Sequence, residues 1–252
     1  MKTFRLKFCL FLPAVFLVLL PGFSAAQKKE KGNVETIITN IEGTGQEIII
    51  TMVGGKSHNH PMMAAWLEDS GGKYIQTLYA NKSVASGYFA YADQSEGKWK
   101  PGKLVRPASL PVWAHKRGVQ APEGHYMPTQ ENPLPDAITS ATPPGDFVLK
   151  ARADKPLNGK IRVMFEINQS WDWNDYWNNN KFPDDKEYKS SAQPSVVYSV
   201  EIDLQNPADS YTMKPVGHGH YSGLDGSLNA DLSTLTTALD IVKEITVQIK
   251  SK

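Results

Sequence analysis

Nine of the chain's 17 prolines fall within residues 97–145. Pro101, Pro107, Pro111, Pro122, Pro128, Pro133, Pro135, Pro143 and Pro144 fix their own φ, lack a backbone donor and push each preceding residue towards extended geometry. Over most of that stretch neither a continuous helix nor an interior strand is available. A loop of this length inside a compact domain usually has a functional reason; the alternative is an extended segment draped over the fold. Trp99 and Trp113 lie within it, and large apolar rings predict that the stretch is packed down in places.

The flanks read differently. Residues 34–41, 46–52, 62–67 and 74–79 on one side, and 147–153, 161–167, 195–204 and 241–249 on the other, are short and β-branched. Glu42-Gly43-Thr44-Gly45, Glu68-Asp69-Ser70-Gly71-Gly72-Lys73 and Asp154-Lys155-Pro156-Leu157-Asn158-Gly159 predict three hairpin connections. One short helix is predicted over 231–239, where Asp231 offers an N-cap and Leu232, Leu235 and Leu239 are spaced by three and four; its threonines equally permit an extended segment. With no strand–helix–strand rhythm, the pattern predicts an all-β fold. That fold is an antiparallel β-sandwich of the immunoglobulin or fibronectin kind, carrying residues 97–145 as a long Pro-rich insertion.

The first residues, Met1-Lys2-Thr3-Phe4-Arg5-Leu6-Lys7, are basic without an acid, and an apolar run over 8–20 precedes Ser24-Ala25-Ala26. Together these predict a signal peptide over 1–26 cleaved near Ala26, a polar tether over 27–32 and a single sandwich domain over 33–252. The run is short and interrupted by Pro13, which suits a signal peptide better than a retained membrane anchor. The expected destination is the periplasm or secretion. The one cysteine, Cys9, lies in the apolar run, so the processed chain has neither thiol nor disulfide chemistry. The net charge is +1, and loss of the three N-terminal basic residues keeps it near neutral. That is not the basic footprint of a nucleic-acid binder.

No Gly-x-Ser-x-Gly elbow, His-Glu-x-x-His, glycine-rich phosphate loop or mature cysteine nucleophile is present, so the residues point to a carrier or binding protein more than to an enzyme. Two His-x-His pairs, His58 with His60 and His218 with His220, would each place two imidazoles on one side of a strand. If the pairs met, they would form a copper or zinc site. Their glycine-rich surroundings equally suit polar loop histidines. Alternating Asn168, Ser170, Asp172 and Asn174 resemble a calcium loop but lack its glycine and its late glutamate. Trp171, Trp173 and Trp177, with Tyr176, either stack on a flat ligand such as a flavin ring or a sugar, or plug one end of the core.

Inside the Pro-rich stretch stands Asp136-Ala137-Ile138-Thr139-Ser140-Ala141-Thr142, followed by Pro143-Pro144-Gly145. By itself it is a Ser/Thr-rich turn that Asp136 can cap. It also resembles the site at which bacterial flavin transferases attach flavin mononucleotide (FMN) to exported proteins: Asp, two variable residues, Ser or Thr, Gly, Ala, then the acceptor. The resemblance implies Thr142 as acceptor through a phosphoester, with Asp136, Thr139, Ser140 and Ala141 as the recognition residues. Ser140 stands where glycine is usual, which matters if positive φ is needed there.

The blocks His60-Pro61-Met62-Met63-Ala64-Ala65-Trp66-Leu67-Glu68-Asp69, Gln193-Pro194-Ser195-Val196-Val197-Tyr198, and Asp231-Leu232-Ser233 with Thr236-Thr237-Ala238 resemble the family of predicted periplasmic proteins catalogued as domain of unknown function 2271. That family has no established activity. The resemblance implies extracytoplasmic electron transfer, with an extracytoplasmic flavin transferase and a membrane redox protein of the PepSY type as partners. A link to iron acquisition is part of the same implication.

Overall fold

The β-branched segments assemble into two facing sheets. The computed structural model describes residues 34–250, so the signal-peptide and tether assignments lie outside the described residues. One sheet runs β1 (Glu35–Thr39), β8 (Phe147–Arg152), β2 (Glu47–Gly54), β13 (Val242–Lys250) and β11 (Tyr211–Thr212). The other runs β12 (Lys214–His218), β10 (Val196–Asp203), β9 (Lys160–Asn168), β3 (Met62–Asp69), β4 (Tyr74–Asn81) and β7 (Thr139–Ser140). Most neighbours are antiparallel, while β1–β8 and β4–β7 are parallel. The expected all-β sandwich is therefore the fold.

Between the sheets lies the main core. Ile48, Ile50 and Met52 of β2 and Phe147, Leu149 and Ala151 of β8 belong to it, with Met63, Ala65 and Leu67 of β3 and Val163, Phe165 and Ile167 of β9. These residues alternate along each strand, the period-2 signature of a sheet face turned inward. Each fully buried aliphatic or Phe side chain contributes roughly 1.5–3 kcal/mol.

The second sheet is also covered on its outer side. Met62, Ala64 and Trp66 of β3 and Met164 of β9 form a second core with Leu110, Val112, Trp113 and Met127. The cover comes from the Pro-rich stretch and from α1 (Lys82–Ser86). Within the stretch, α2 (Pro111–Arg117) starts with Pro111 in its first turn, where no intrahelical donor is needed. Strand β6 (Lys100–Lys103) pairs only with β5 (Tyr88–Asp93), so Pro101 interrupts no interior ladder. The stretch is thus regular wherever its prolines occupy permitted positions. Trp113 is fully buried, as expected, but Trp99 stays exposed.

Three connections differ from expectation. The loop 42–45 does not fold β1 back on β2, because both strands flank β8 instead. Asn40, at φ +47°, turns the chain, and its Nδ2 donates to the Arg152 carbonyl at 2.8 Å. Gly45 N–H donates to Ala153 O at 2.9 Å, docking the loop on the end of β8. The segment 154–159 crosses between sheets rather than joining a hairpin, and Gln46 clamps it by both accepting from and donating to the Leu157 backbone. Residues 231–239 form no α-helix; only Thr237–Asp240 makes a 3-10 turn. The Asp231 carboxylate is taken up by Ser233 N–H at 2.9 Å, a local bond that competes with helix. The hairpin through residues 68–73 is formed as expected, with Asp69 accepting from Gly71 and Lys73 N–H.

Candidate functional site

The segment that resembles a flavin acceptor lies on the edge of the six-stranded sheet. Leu134 N–H donates to Ala85 O at 2.8 Å, and Asp136–Ile138 then makes one 3-10 turn. Asn40 N–H donates to Ala137 O at 2.8 Å. Thr139 and Ser140 form β7, in parallel register with Ala80 and Asn81 of β4. The segment read as a Ser/Thr-rich turn thus also contributes a short edge strand. Pro135 and Pro143 bracket it, but neither β7 residue is a proline, and the Thr139 N–H is taken by Asp136 O. A two-residue edge pairing is the least costly kind to open.

Ser140 has no positive φ, so serine fits where the resembled motif has glycine. Asp136, Ala137 and Ala141 are exposed, while Thr139, Ser140 and Thr142 are half-buried. Thr139 Oγ1 donates to Asp136 O at 3.3 Å, closing the turn.

The hydroxyl of Thr142 meets Asn81, a fully buried residue at the end of β4. Asn81 Nδ2 donates to Thr142 Oγ1 at 2.9 Å and to the Tyr79 hydroxyl at 3.2 Å, and its Oδ1 accepts from Met63 N–H. The Tyr79 hydroxyl in turn donates to Ala141 O at 3.3 Å. Burial raises the Tyr79 pKa far above the usual phenol range, with the Glu35 charge adding to the shift, so this hydroxyl remains a donor. The Ala141 carbonyl and the Thr142 hydroxyl are therefore both held by β4.

Beside the segment opens a groove of about 830 Å3. Asp136 and Thr139 line one side, Pro133 and Leu134 supply apolar wall, and Lys82 and Lys103 bring two cations. Lys103 is paired with Glu131. Lys82 enters no ion pair among the described residues.

The other candidate residues do not come together. His58 sits in the turn after β2, where both ring nitrogens are buried and neither has a partner. His60 is exposed at φ +50°, with Nδ1 against Asn59 Oδ1 at 3.1 Å. His218 ends β12, edge-on to Trp177, and its Nδ1 lies 2.7 Å from Gly219 O. His220 stacks on Tyr221 and is held by Ser222. The two pairs do not form a common group: His218 and His220 are engaged by their own strand end and turn, and the two nitrogens of His58 have no partner among the described residues. Among the described residues no group of three or more His, Cys, Asp or Glu side chains is placed to hold a metal ion.

The tryptophans divide likewise. Trp177 is buried with Nε1 donating to Thr234 Oγ1 at 3.1 Å, and Trp173 packs edge-on to Tyr188. These two plug the core. Trp171 points out to solvent, so the three indoles present no common stacking face.

Two buried polar residues escaped the sequence reading. Glu166 of β9 is fully buried and accepts from Val112 N–H at 3.2 Å, Trp113 N–H at 2.7 Å and Ser195 Oγ at 2.6 Å. It tethers the start of α2 to the sheet. Burial pushes its pKa up to about 7 against those three hydrogen bonds. A lone carboxylate inside the apolar run 161–167 was the available signal. Asn81 had none, since its partner Thr142 is 61 residues away.

Compared with protein families, curated proteins and solved structures, the chain matches none. No helix among the described residues is long and apolar enough to cross a membrane.

Proposed function

We propose that this chain is an exported electron carrier, periplasmic or secreted, that bears FMN covalently on Thr142. The reading rests on one juxtaposition. The acceptor-like segment occupies a sheet edge, and its Asp136 and Thr139 line the 830 Å3 groove that also holds Lys82. Grooves of roughly 300–1,000 Å3 with apolar walls and a few polar groups are the usual size for cofactors.

Attachment is the work of a second protein, an extracytoplasmic flavin transferase. The Thr142 oxygen forms the new bond to phosphorus, its proton passes to a base of the transferase, and the donor's leaving group departs with the electron pair. A threonine hydroxyl needs such activation, and the transferase supplies it with its metal. In this chain Asn81 holds the hydroxyl by donating to it, which leaves the Thr142 proton free to be taken. Opening the two-residue β7 pairing would expose the segment to the modifying enzyme. Once attached, the flavin supplies one- and two-electron redox chemistry that a chain without mature cysteine lacks. A ring lodged in the groove would meet the Lys82 cation and the apolar side chains of Leu134 and Pro133. The electron partner on this reading is a membrane redox protein of the PepSY type, and iron acquisition is one process such a chain would serve.

The test is mass spectrometry of protein produced with and without a flavin transferase. The peptide containing Thr142 gains one FMN-sized mass only with the transferase. Thr142→Ala abolishes the gain and Thr142→Ser keeps it. Absence of the gain on that peptide, while a known acceptor is modified in the same cells, overturns the reading.

A further inference from the structure

Away from the sheet-edge segment, one cluster pairs exposed rings with a buried cation. Tyr91 of β5, Trp99 before β6 and Trp171 after β9 are 66%, 43% and 51% exposed. Tyr91 and Trp99 meet edge-on at 6.5 Å, and Trp99 and Trp171 lie 6.1 Å apart at 45°. The three rings come from two separate stretches of sequence and form an angled surface open to solvent.

The backbone under Trp171 is held in a conformation bulky residues rarely adopt. Its φ is +58°. Trp171 N–H donates to Ser190 O at 3.2 Å, and the next residue bridges to Ala192, itself at φ +70°. Structure on both sides therefore maintains a strained turn whose visible result is an indole facing water. Positions of this kind concentrate at ligand sites.

Arg106 lies behind the rings and is only 8% exposed. Its guanidinium sits 5.3 Å from the Phe89 ring centre and 5.8 Å from that of Trp171. Nη1 donates to Ser170 Oγ at 3.0 Å, whereas Nε is buried without a partner. Among the described residues Nη2 makes no hydrogen bond and no carboxylate forms an ion pair with Arg106. Buried charges are normally paired. This one has aromatic faces instead; the Glu187 carboxylate acts on it through space but makes no ion pair with it, so the guanidinium fork keeps donors to offer.

We propose that Tyr91, Trp99, Trp171 and Arg106 form a binding site for an acidic sugar. The apolar C–H face of the sugar ring packs on the indoles, and its carboxylate takes the unused Arg106 donors, for which the guanidinium fork is matched. The charged neighbours are mixed in sign: Glu187 acts on Arg106, and Lys100 is paired to Glu96, so the patch is not the polybasic surface that anionic membranes select. The site stands whether or not Thr142 carries flavin.

The experiment is titration of the purified protein with an oligogalacturonate, and with a neutral maltooligosaccharide of equal length. Indole fluorescence and calorimetry are the readouts. Saturable binding of the acidic oligomer is expected, with the neutral one at least about tenfold weaker. Trp171→Ala and Trp99→Ala, both at exposed positions, each weaken the acidic oligomer about tenfold, the scale of one lost aromatic contact. Arg106→Gln removes the preference for acid. If that variant fails to fold, raised salt serves the same purpose by abolishing the preference in the unaltered protein. No binding of the acidic oligomer, equal binding of both, or binding untouched by the two tryptophan variants overturns the proposal. Stronger capture by anionic lipid vesicles than by the oligomer does so too.

Discussion

The buried carboxamide of Asn81 donates to the hydroxyl of Thr142 at 2.9 Å, across 61 residues of sequence. The same carboxamide accepts from Met63 N–H, so one side chain links β3, β4 and the segment after β7. Asn81→Ala leaves the Met63 donor buried and unpaired. The expected loss of stability is about 1–3 kcal/mol, read from urea unfolding. Thr142→Val takes one acceptor from the buried Asn81 amide but spares its bonds to Met63 and Tyr79, so it should cost less than Asn81→Ala. Equal costs would mean that Asn81 does not organise the strand end.

Glu166 makes stability depend on pH in a defined direction. Its folded pKa is raised from 4.5 to about 7. Below about pH 4.5 both folded and unfolded chains hold the proton. Between there and about 7 only the folded chain holds it, so this contribution falls as pH rises and is gone above the folded pKa. Glu166→Gln should flatten that fall. The difference in unfolding free energy between about pH 5 and about pH 8 should shrink by more than about 1 kcal/mol. An unchanged pH profile would show that the carboxyl does not titrate there.

Two glycines separate strain from steric clash. Gly118, at φ +72°, closes α2 with nothing near its missing Cβ. Gly118→Ala should cost about 1 kcal/mol, the strain alone. Gly223, at φ +71°, would place a Cβ 2.1 Å from the Pro107 carbonyl oxygen. Gly223→Ala must also displace the backbone leading into Ala108 and Leu110, and should cost upwards of about 3 kcal/mol. Thermal or urea unfolding of the two variants decides it, and similar losses would refute the close approach.

His58 is half-buried, with both ring nitrogens buried and lacking partners. Replacing such a group by an apolar one removes a desolvation cost without breaking a bond. His58→Leu should leave stability unchanged or raise it by up to about 1 kcal/mol. A loss above about 2 kcal/mol in urea unfolding would mean the imidazole has a partner of its own.

Strand existence was legible because strands such as β2, β3 and β9 are short apolar runs between turn residues. Strand pairing was not. Whether β1 returns on β2 or on β8 is decided by Asn40, whose side chain reaches Arg152 and Asp154 from more than a hundred residues away. Within the Pro-rich stretch, Pro111 ahead of Val112 and Trp113 was a readable helix start, yet the density of prolines outweighed it. The acceptor-like segment is a linear pattern and so could be found in the sequence. Its surroundings (Asn81, Tyr79, Lys82) could not, since they arrive through the parallel β4–β7 pairing. The tryptophans carried no mark of their fates. Trp177 is enclosed by Tyr188, Tyr221 and His218, while Trp171, six residues earlier, meets only rings that are themselves at the surface.

The parallel register of β1 with β8, Glu35 opposite Phe147, also sets a timetable. A chain made from its N-terminus onward completes β1 more than a hundred residues before its only neighbour in the sheet exists. Until then Ile37 has no inner layer to join, and both edges of β1 are free. The sheet that holds β1 consequently cannot assemble in the order its strands emerge. The first described strand to be made waits through more than a hundred residues for its partner, and escorts that keep nascent strands apart have most to do during that interval.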